Sequence, residues 1–516
     1  MRLPRASGVL LHPTSLPGPH GSGDCGAAAC HFVDWLVQAG QSLWQILPLN
    51  PIGAGNSPYA SSSAFAGNLL LVDLLELQQQ GWLTSAEVAP LPGLLAQRVA
   101  YDQVVPFRMQ RLQWAAERFF AVPPHDERHQ AFAQFCAHQA GWLDDYALFM
   151  ALDEAHSRGH ADDGSDWRDW RDWCGWPEAL ARRDPGALAE AAATHAARVA
   201  FWKFGQWCFF RQWQGLRQYA NRRGVRIVGD VPIFIAHHSA EVWAHQALFE
   251  LGADGRPSVV AGVPPDYFSA TGQRWGNPLY RWDVHARDGY AWWVQRLRCV
   301  FELVDIVRID HFRGFAAHWE IAASEPTAQH GHWRAGPGAA LFEAIAAALG
   351  TVPIIAEDLG LITPDVQALR RRFALPGMRI LQFAFGGEAD NAYLPHHHEP
   401  DSVVYPGTHD NDTALGWWAA AGVHERSHAR DYLGLHDGDD IAWALIRCAC
   451  ASVADTAVFA MQDVLSLGGD ARLNFPGQAN GWWSWRLQWS QVQHSHAQRL
   501  YALCRLYDRL PCATRA

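Results

Sequence analysis

The stretch Asp305-Ile-Val-Arg-Ile-Asp310-His-Phe-Arg-Gly314 decides the reading of the fold. Ile306, Val307 and Ile309 make a short β-favouring run that stops at a charged residue and a polar turn. Residues 288–304, just before it, carry apolar positions at helical spacing. The same unit recurs on both sides. Candidate strands lie at 8–11, 43–49, 226–234, 305–311, 352–357, 378–385, 402–409 and 457–462. Helical text covers 288–304, 339–350, 363–373 and 413–421. Strand, helix, strand repeated along a chain favours parallel pairing with helices outside. Eight strands predict an α/β fold, a (β/α)8 TIM barrel, rather than an open sheet.

The spacing is uneven. From about Leu75 to Trp213 no strand is legible, only Ala-, Arg- and Trp-rich helical text such as 191–210. That is too long for a loop. We therefore divide the chain into a first part of the barrel at 1–75, a mainly helical insertion at 76–200, and the rest of the barrel at 201–516. A second insertion at about 235–290 mixes Gly, Pro, Asp and aromatics, and reads as a structured loop over the C-terminal face of the barrel.

Composition excludes several functions. The chain has 516 residues, 49% hydrophobic and 18% charged, with a net charge of −11. A chain this long buries enough surface to need no metal or disulfide staple. Its acidic balance argues against nucleic acid as a partner. Lys203 is the single lysine and follows Phe-Trp, so no phosphate-binding Walker loop exists. The ten cysteines are scattered, without Cys-x2-Cys pairs, as expected of reduced thiols in a cytoplasmic protein. The N-terminus does not resemble a signal peptide, and no apolar run is long enough to span a membrane. Gly21-Ser-Gly-Asp-Cys-Gly26 matches a dinucleotide pattern, but nine residues with three prolines separate it from the preceding strand. His396-His397-His398 is expected in a solvated loop.

Three carboxylates stand at strand ends: Asp310, Glu357 after five apolar residues, and Asp410 in Gly407-Thr-His409-Asp410-Asn. In a β/α barrel the carboxyl ends of the strands form one face, so these groups converge although 47 and 53 residues apart. Retaining glycosidases need an ionised nucleophile and a protonated acid about 5–5.5 Å apart. Arg308, two residues before Asp310 on the same strand face, would hold Asp310 ionised. Burial beside another carboxylate would raise Glu357. Each carboxylate alone also suits a helix cap or an ion pair, and Arg308 with Asp310 suits a buried salt bridge. Loop aromatics in Asn56-Ser-Pro-Tyr59, Asp266-Tyr267-Phe268 and Gln273-Arg-Trp275-Gly-Asn277 offer faces for sugar rings, although most of the 26 tryptophans serve ordinary packing.

The motifs together resemble the amylomaltases, 4-α-glucanotransferases of glycoside hydrolase family 77 and the α-amylase clan. The matching text includes Ser7-Gly-Val-Leu-Leu-His-Pro-Thr-Ser-Leu-Pro, Trp44-Gln-Ile-Leu-Pro-Leu, Ser57-Pro-Tyr, Gly229-Asp-Val-Pro and Gln273-Arg-Trp-Gly-Asn-Pro. It continues with Arg308-Ile-Asp-His-Phe-Arg-Gly, Ala356-Glu-Asp-Leu-Gly, Gly407-Thr-His-Asp-Asn and Arg472-Leu-Asn-Phe-Pro-Gly. The resemblance implies transfer of α-1,4-glucan segments by a retaining double displacement, with maltodextrins as partners and no cofactor or metal. It implies Asp310 as nucleophile, Glu357 as acid/base and Asp410 as the second aspartate. Arg308, His409 and Asp230 would flank the sugar at the cleavage point. Tyr59, Trp275 and Phe383 would line the groove, with Ser57, Asp266, Tyr267, Phe268, Asn277 and Asn474 as further contacts. Two departures stand out. Ala236-His237-His238 replaces the family's acidic pair, and Trp482 stands where an asparagine is expected. A hydrolase on the same barrel, or a non-catalytic glucan-binding protein, are the alternatives.

Overall fold

The computed structural model describes residues 3–122, 127–157, 172–265, 269–478 and 480–511. Eight short strands alternate with helices: β1 (Ala6–Leu10), β2 (Leu43–Gln45), β3 (Arg226–Pro232), β4 (Ile306–Asp310), β5 (Ile354–Ala356), β6 (Gly377–Ile380), β7 (Ser402–Tyr405) and β8 (Thr456–Ala460). They pair in the order β6-β7-β8-β1-β2-β3-β4-β5, every pair parallel. The Ala356 N–H donates to the Pro376 carbonyl at 2.9 Å, joining the two ends of the row into a barrel. Each of the eight predicted strands corresponds to one of these. The predicted runs 43–49, 226–234 and 378–385 extend past the observed ends because the chain leaves the ladder at the barrel rim while its residues remain largely apolar.

Strands covered on both faces need not alternate, and these do not: β1, β2 and β7 are buried along their whole length. Gly8 serves the closest approach, since a Cβ there would lie 2.5 Å from that of Leu43 on β2. Helices Ala291–Leu303, Ala339–Leu349, Pro364–Arg372 and Ala414–Ala420 fall within the predicted helical text. The text at 191–210 is divided between helices Pro185–Thr194 and Ala196–Arg222, which meet at His195.

Among the described residues the region from 75 to 213 contains helices and no strand. Helix Ala196–Arg222 links it to the barrel. Phe204, Trp207, Phe209 and Phe210 are buried along it, while the Trp213 indole N–H donates to the Leu303 carbonyl at 2.8 Å just before β4. One continuous apolar core therefore covers both. The loop region after β3 holds more than the sequence suggested. Strands Val259–Val263 and Gln273–Pro278 join Ala317–Ala322 and Gly331–Ala335 in a four-stranded antiparallel sheet. The histidine triplet also differs from expectation: His396 and His397 are exposed, but His398 is buried between the Ser452 hydroxyl and the Tyr393 carbonyl.

Candidate active site

Register places the carboxylates. Ile309 on β4 is paired with Ala356 on β5, so Asp310 and Glu357 leave their strands side by side at the carboxyl rim. On the other flank Asp230 of β3 is paired with Arg308 of β4. Arg308, 3% exposed, spends its guanidinium on both neighbours. Nη1 reaches the two Asp230 oxygens at 2.7 and 2.6 Å, and Nη2 reaches Asp310 Oδ1 at 2.9 Å. An arginine fork holding two carboxylates in a buried setting fixes their positions as well as their charge.

Glu357 is held by backbone. The His311 N–H donates to one carboxylate oxygen at 2.7 Å and the Leu359 N–H to the other at 2.9 Å. His311 has φ of 52°, the left-handed region, which costs a non-glycine residue about 1 kcal/mol. That backbone places its N–H on Glu357, while the Phe312 N–H donates to the Glu357 carbonyl at 3.1 Å.

Burial, and then the charge of Asp310, push the Glu357 carboxyl up to about 8, against the pull of Arg308 and the two N–H groups. Asp310 is pushed up to about 6, burial outweighing Arg308. The sequence expectation that Arg308 keeps Asp310 ionised at neutral pH agrees with this value, although desolvation, the larger effect, places it above the ordinary carboxylate range. The order of the pair survives: near neutral pH Asp310 is ionised and Glu357 carries a proton, the division of labour an acid and a nucleophile require.

Tyr59 and His409 close the far side. In the loop carrying Tyr59, the Gly53 N–H donates to the Ser57 carbonyl at 2.9 Å and the Tyr59 N–H to the Ser57 hydroxyl at 3.2 Å. Ser57 thereby shapes the turn that presents Tyr59. The tyrosine hydroxyl donates to Asp230 at 2.7 Å, so its oxygen accepts from His409 Nε2 at 2.9 Å. The two rings stack at 5.4 Å. Asp410 lies beyond the end of β7, 41% exposed, with His409 Nε2 3.4 Å from one carboxylate oxygen. The other oxygen accepts from Asn474 Nδ2 at 2.6 Å, and Arg472 donates to the Asp410 carbonyl at 2.6 Å.

The remaining predicted contacts spread around this centre. Trp275 is 38% exposed on strand Gln273–Pro278 and meets the His311 ring edge-on at 4.8 Å. Asn277 is half-buried on the same strand. Phe383 packs edge-on against Tyr393 at 5.5 Å, and the charge of Glu357 acts on Tyr393. Asp266, Tyr267 and Phe268 lie outside the described residues. The sequence reading assigned no role to three further groups. Trp483, with φ of 63°, lies 5.7 Å from the Tyr59 ring and 5.9 Å from His409. Arg472 holds Asp410, and His12, just past β1, is pushed down to about 3 by burial and His409. His12 and Arg472 fall inside motifs quoted above, and Trp483 directly follows Trp482, which was the available signal.

Such a rim suits glycosyl chemistry: an ionised nucleophile, a protonated acid and a third carboxylate within a polar, aromatic-lined mouth. No described helix is long and apolar enough to cross a membrane. Comparison with known proteins agrees with the geometry. The family model described as 4-alpha-glucanotransferase matches residues 11–492. The 4-alpha-glucanotransferase of Thermus thermophilus is 49% identical over 99% of this chain and 100% of its own. That of Synechocystis sp. is 44% identical over 98% of both chains. Among solved structures, amylomaltase from Streptococcus agalactiae in complex with acarbose superposes with a TM-score of 0.93, at 35% identity, covering 98% of this chain and 100% of that one. With the motifs, the barrel and near-full-length identity in agreement, the chain belongs to the 4-alpha-glucanotransferases, the amylomaltases of glycoside hydrolase family 77.

Proposed function

We propose that Asp310 is the nucleophile, Glu357 the acid/base and Asp410 the hydroxyl-binding carboxylate of a transferase acting on maltodextrins. One observation carries the assignment: two carboxylates adjacent in register at the barrel rim, where burial and the charge of Asp310 push Glu357 the further up of the two. In the first step an Asp310 oxygen bonds to the anomeric carbon as the glycosidic C–O bond breaks. The Glu357 proton passes to the departing oxygen. In the second step Glu357 takes the proton of an acceptor 4-hydroxyl, whose oxygen displaces Asp310 from the anomeric carbon. Net retention follows from two inversions.

The polar frame favours this course. Arg308 leaves Asp310 one oxygen free while bonding the other, and it anchors Asp230 for hydroxyl binding. Asn474 and Arg472 orient Asp410 from outside the sugar position. Trp275, 38% exposed, and Tyr59, backed by the buried Trp483, offer apolar faces on which glucose rings stack. A sugar held on such faces excludes water and turns the glycosyl-enzyme toward transfer. Residues 1–75 and 201–516 form the catalytic barrel in this reading, 76–200 the helical insertion, and 235–290 the loop over the substrate. Asp266, Tyr267, Phe268 and Asn277 are assigned to the groove with Phe383. The scattered cysteines suit work in the cytoplasm.

The test is to trap the intermediate. An activated α-glucosyl donor given to Glu357→Gln should load one glycosyl group, because a good leaving group needs no acid while release to a poor acceptor needs the base. Mass spectrometry of peptides should find the sugar on Asp310. A label on any other residue overturns the assignment. Maltotriose alone should yield glucose and a ladder of longer maltodextrins; glucose and maltose alone would make water the acceptor.

A further inference from the structure

Asp172, Cys174 and His237 come together where the helical insertion meets the loop that follows β3. Asp172 caps the turn Trp173–Gly175, its Oδ1 accepting from the Cys174 N–H at 3.0 Å. The buried Trp173 indole donates to the His237 carbonyl at 2.9 Å, which fixes the two segments against each other. One donor atom from each of the three residues lies within 4.8 Å of the other two. His237 Nδ1 is 3.6 Å from Asp172 Oδ1, and Nε2 is 3.8 Å from Cys174 Sγ.

The surroundings set which imidazole nitrogen and which carboxylate oxygen face each other. His237 Nε2 sits 3.0 Å from the Gly255 carbonyl, which can only accept, so this nitrogen carries the proton. Nδ1 then faces a carboxylate oxygen, two acceptors with no hydrogen between them. Arg256 takes Asp172 Oδ2 at 2.8 Å, and Oδ1, with the Cys174 N–H on it, has a lone pair left toward Nδ1. Around a tetrahedral zinc ion with bonds of about 2.0–2.3 Å, ligand atoms stand roughly 3.3–3.8 Å apart. The 3.6 Å between Nδ1 and Oδ1 lies in that range, while the Cys174 side chain, 3.8 Å from Nε2, has to turn toward Nδ1 to complete the set.

We propose that Asp172, Cys174 and His237 form a zinc site, completed by water, that clamps the helical insertion to the loop over the barrel. Zinc displaces the thiol proton to solvent and binds Cys174 as thiolate, His237 through Nδ1 and Asp172 through Oδ1. The Gly255 carbonyl, still accepting from Nε2–H, orients the imidazole as an outer-sphere partner. A sulfur, nitrogen and oxygen set selects zinc over magnesium or calcium, which prefer oxygen alone.

Chelator-treated, full-length protein titrated with Zn2+ against a chromophoric indicator tests the site, with Co2+ as spectroscopic probe. We expect one metal per chain, a sulfur-to-cobalt charge-transfer band and a higher melting temperature with zinc. Cys174→Ser and His237→Gln should each weaken binding by more than the ~10–100-fold that loss of an outer-sphere partner costs. Absence of stoichiometric uptake overturns the proposal. So does uptake of unchanged affinity in both variants, which would move the metal to another cluster. If either variant folds poorly, the cobalt band of the unaltered protein decides alone: no thiolate signature, no site.

Discussion

Replacing Glu357 by Gln should remove a loss of stability that the unaltered protein suffers as pH rises. Glu357 is 9% exposed, and its carboxyl is pushed from 4.5 to about 8 in the folded chain. Between these values the folded state holds a proton that the unfolded state has released. A raised folded pKa means that its contribution is full below about 4.5 and is lost as pH climbs through about 8. From pH 6 to pH 9 the remaining loss is on the order of 3 kcal/mol, two pH units at 1.36 kcal/mol each. For 516 residues, at ~2.1 cal/mol/K per residue of unfolding entropy, this is a shift of about 2–3 °C. Gln cannot accept both the His311 and Leu359 N–H bonds, so the variant carries an offset. That offset does not depend on pH. Thermal unfolding of both proteins at pH 6 and pH 9, at one scan rate, reads the difference directly. The melting temperature of E357Q relative to the unaltered protein should rise by about 2–3 °C between the two pH values. An unchanged gap would mean that Glu357 is ionised throughout, and the burial argument would fall with it.

Three further outcomes are expected. The pH profile of kcat/KM should be bell-shaped, rising as Asp310 ionises near 6 and falling as Glu357 loses its proton near 8; a plateau through pH 9 would contradict the assignment. Arg308→Ala should cost about 3–5 kcal/mol in denaturant unfolding, since it strands Asp230 and Asp310 without their shared cation, and a loss under 1 kcal/mol would show that the pair is solvated. Trp275→Ala should raise KM for maltooligosaccharides while moving the melting temperature by less than about 1 °C, because the ring is 38% exposed; an equal loss of stability would make it a packing residue.

Much of the site was legible because its information is local. A β-favouring run that ends on a carboxylate reports both the strand and the residue at its rim. Once eight such runs are parallel, the rims share one face and Asp310, Glu357 and Asp410 must meet there. Arg308 was readable for the same reason, two residues from Asp310 along an extended chain. The antiparallel sheet was not: Gln273–Pro278 and Gly331–Ala335 contain Gly, Pro, Arg and His, and only their partners make strands of them. Trp483 gives no local sign that its backbone turns left-handed to reach Tyr59.

The sequence by itself determined the barrel strands, the helical character of the stretch before β3 and the place of three carboxylates at or just beyond strand ends, because strand propensity and position along a strand are properties of short segments. The tertiary structure alone decided how these groups behave. Register sets Asp230 opposite Arg308, backbone N–H groups hold Glu357, and burial keeps its proton in place to about pH 8. It also brought Asp172 and Cys174 to His237 across more than sixty residues of chain, a meeting that no spacing rule encodes. Proton affinity and donor geometry depend on what surrounds a side chain in space, and that is fixed only when the chain has packed.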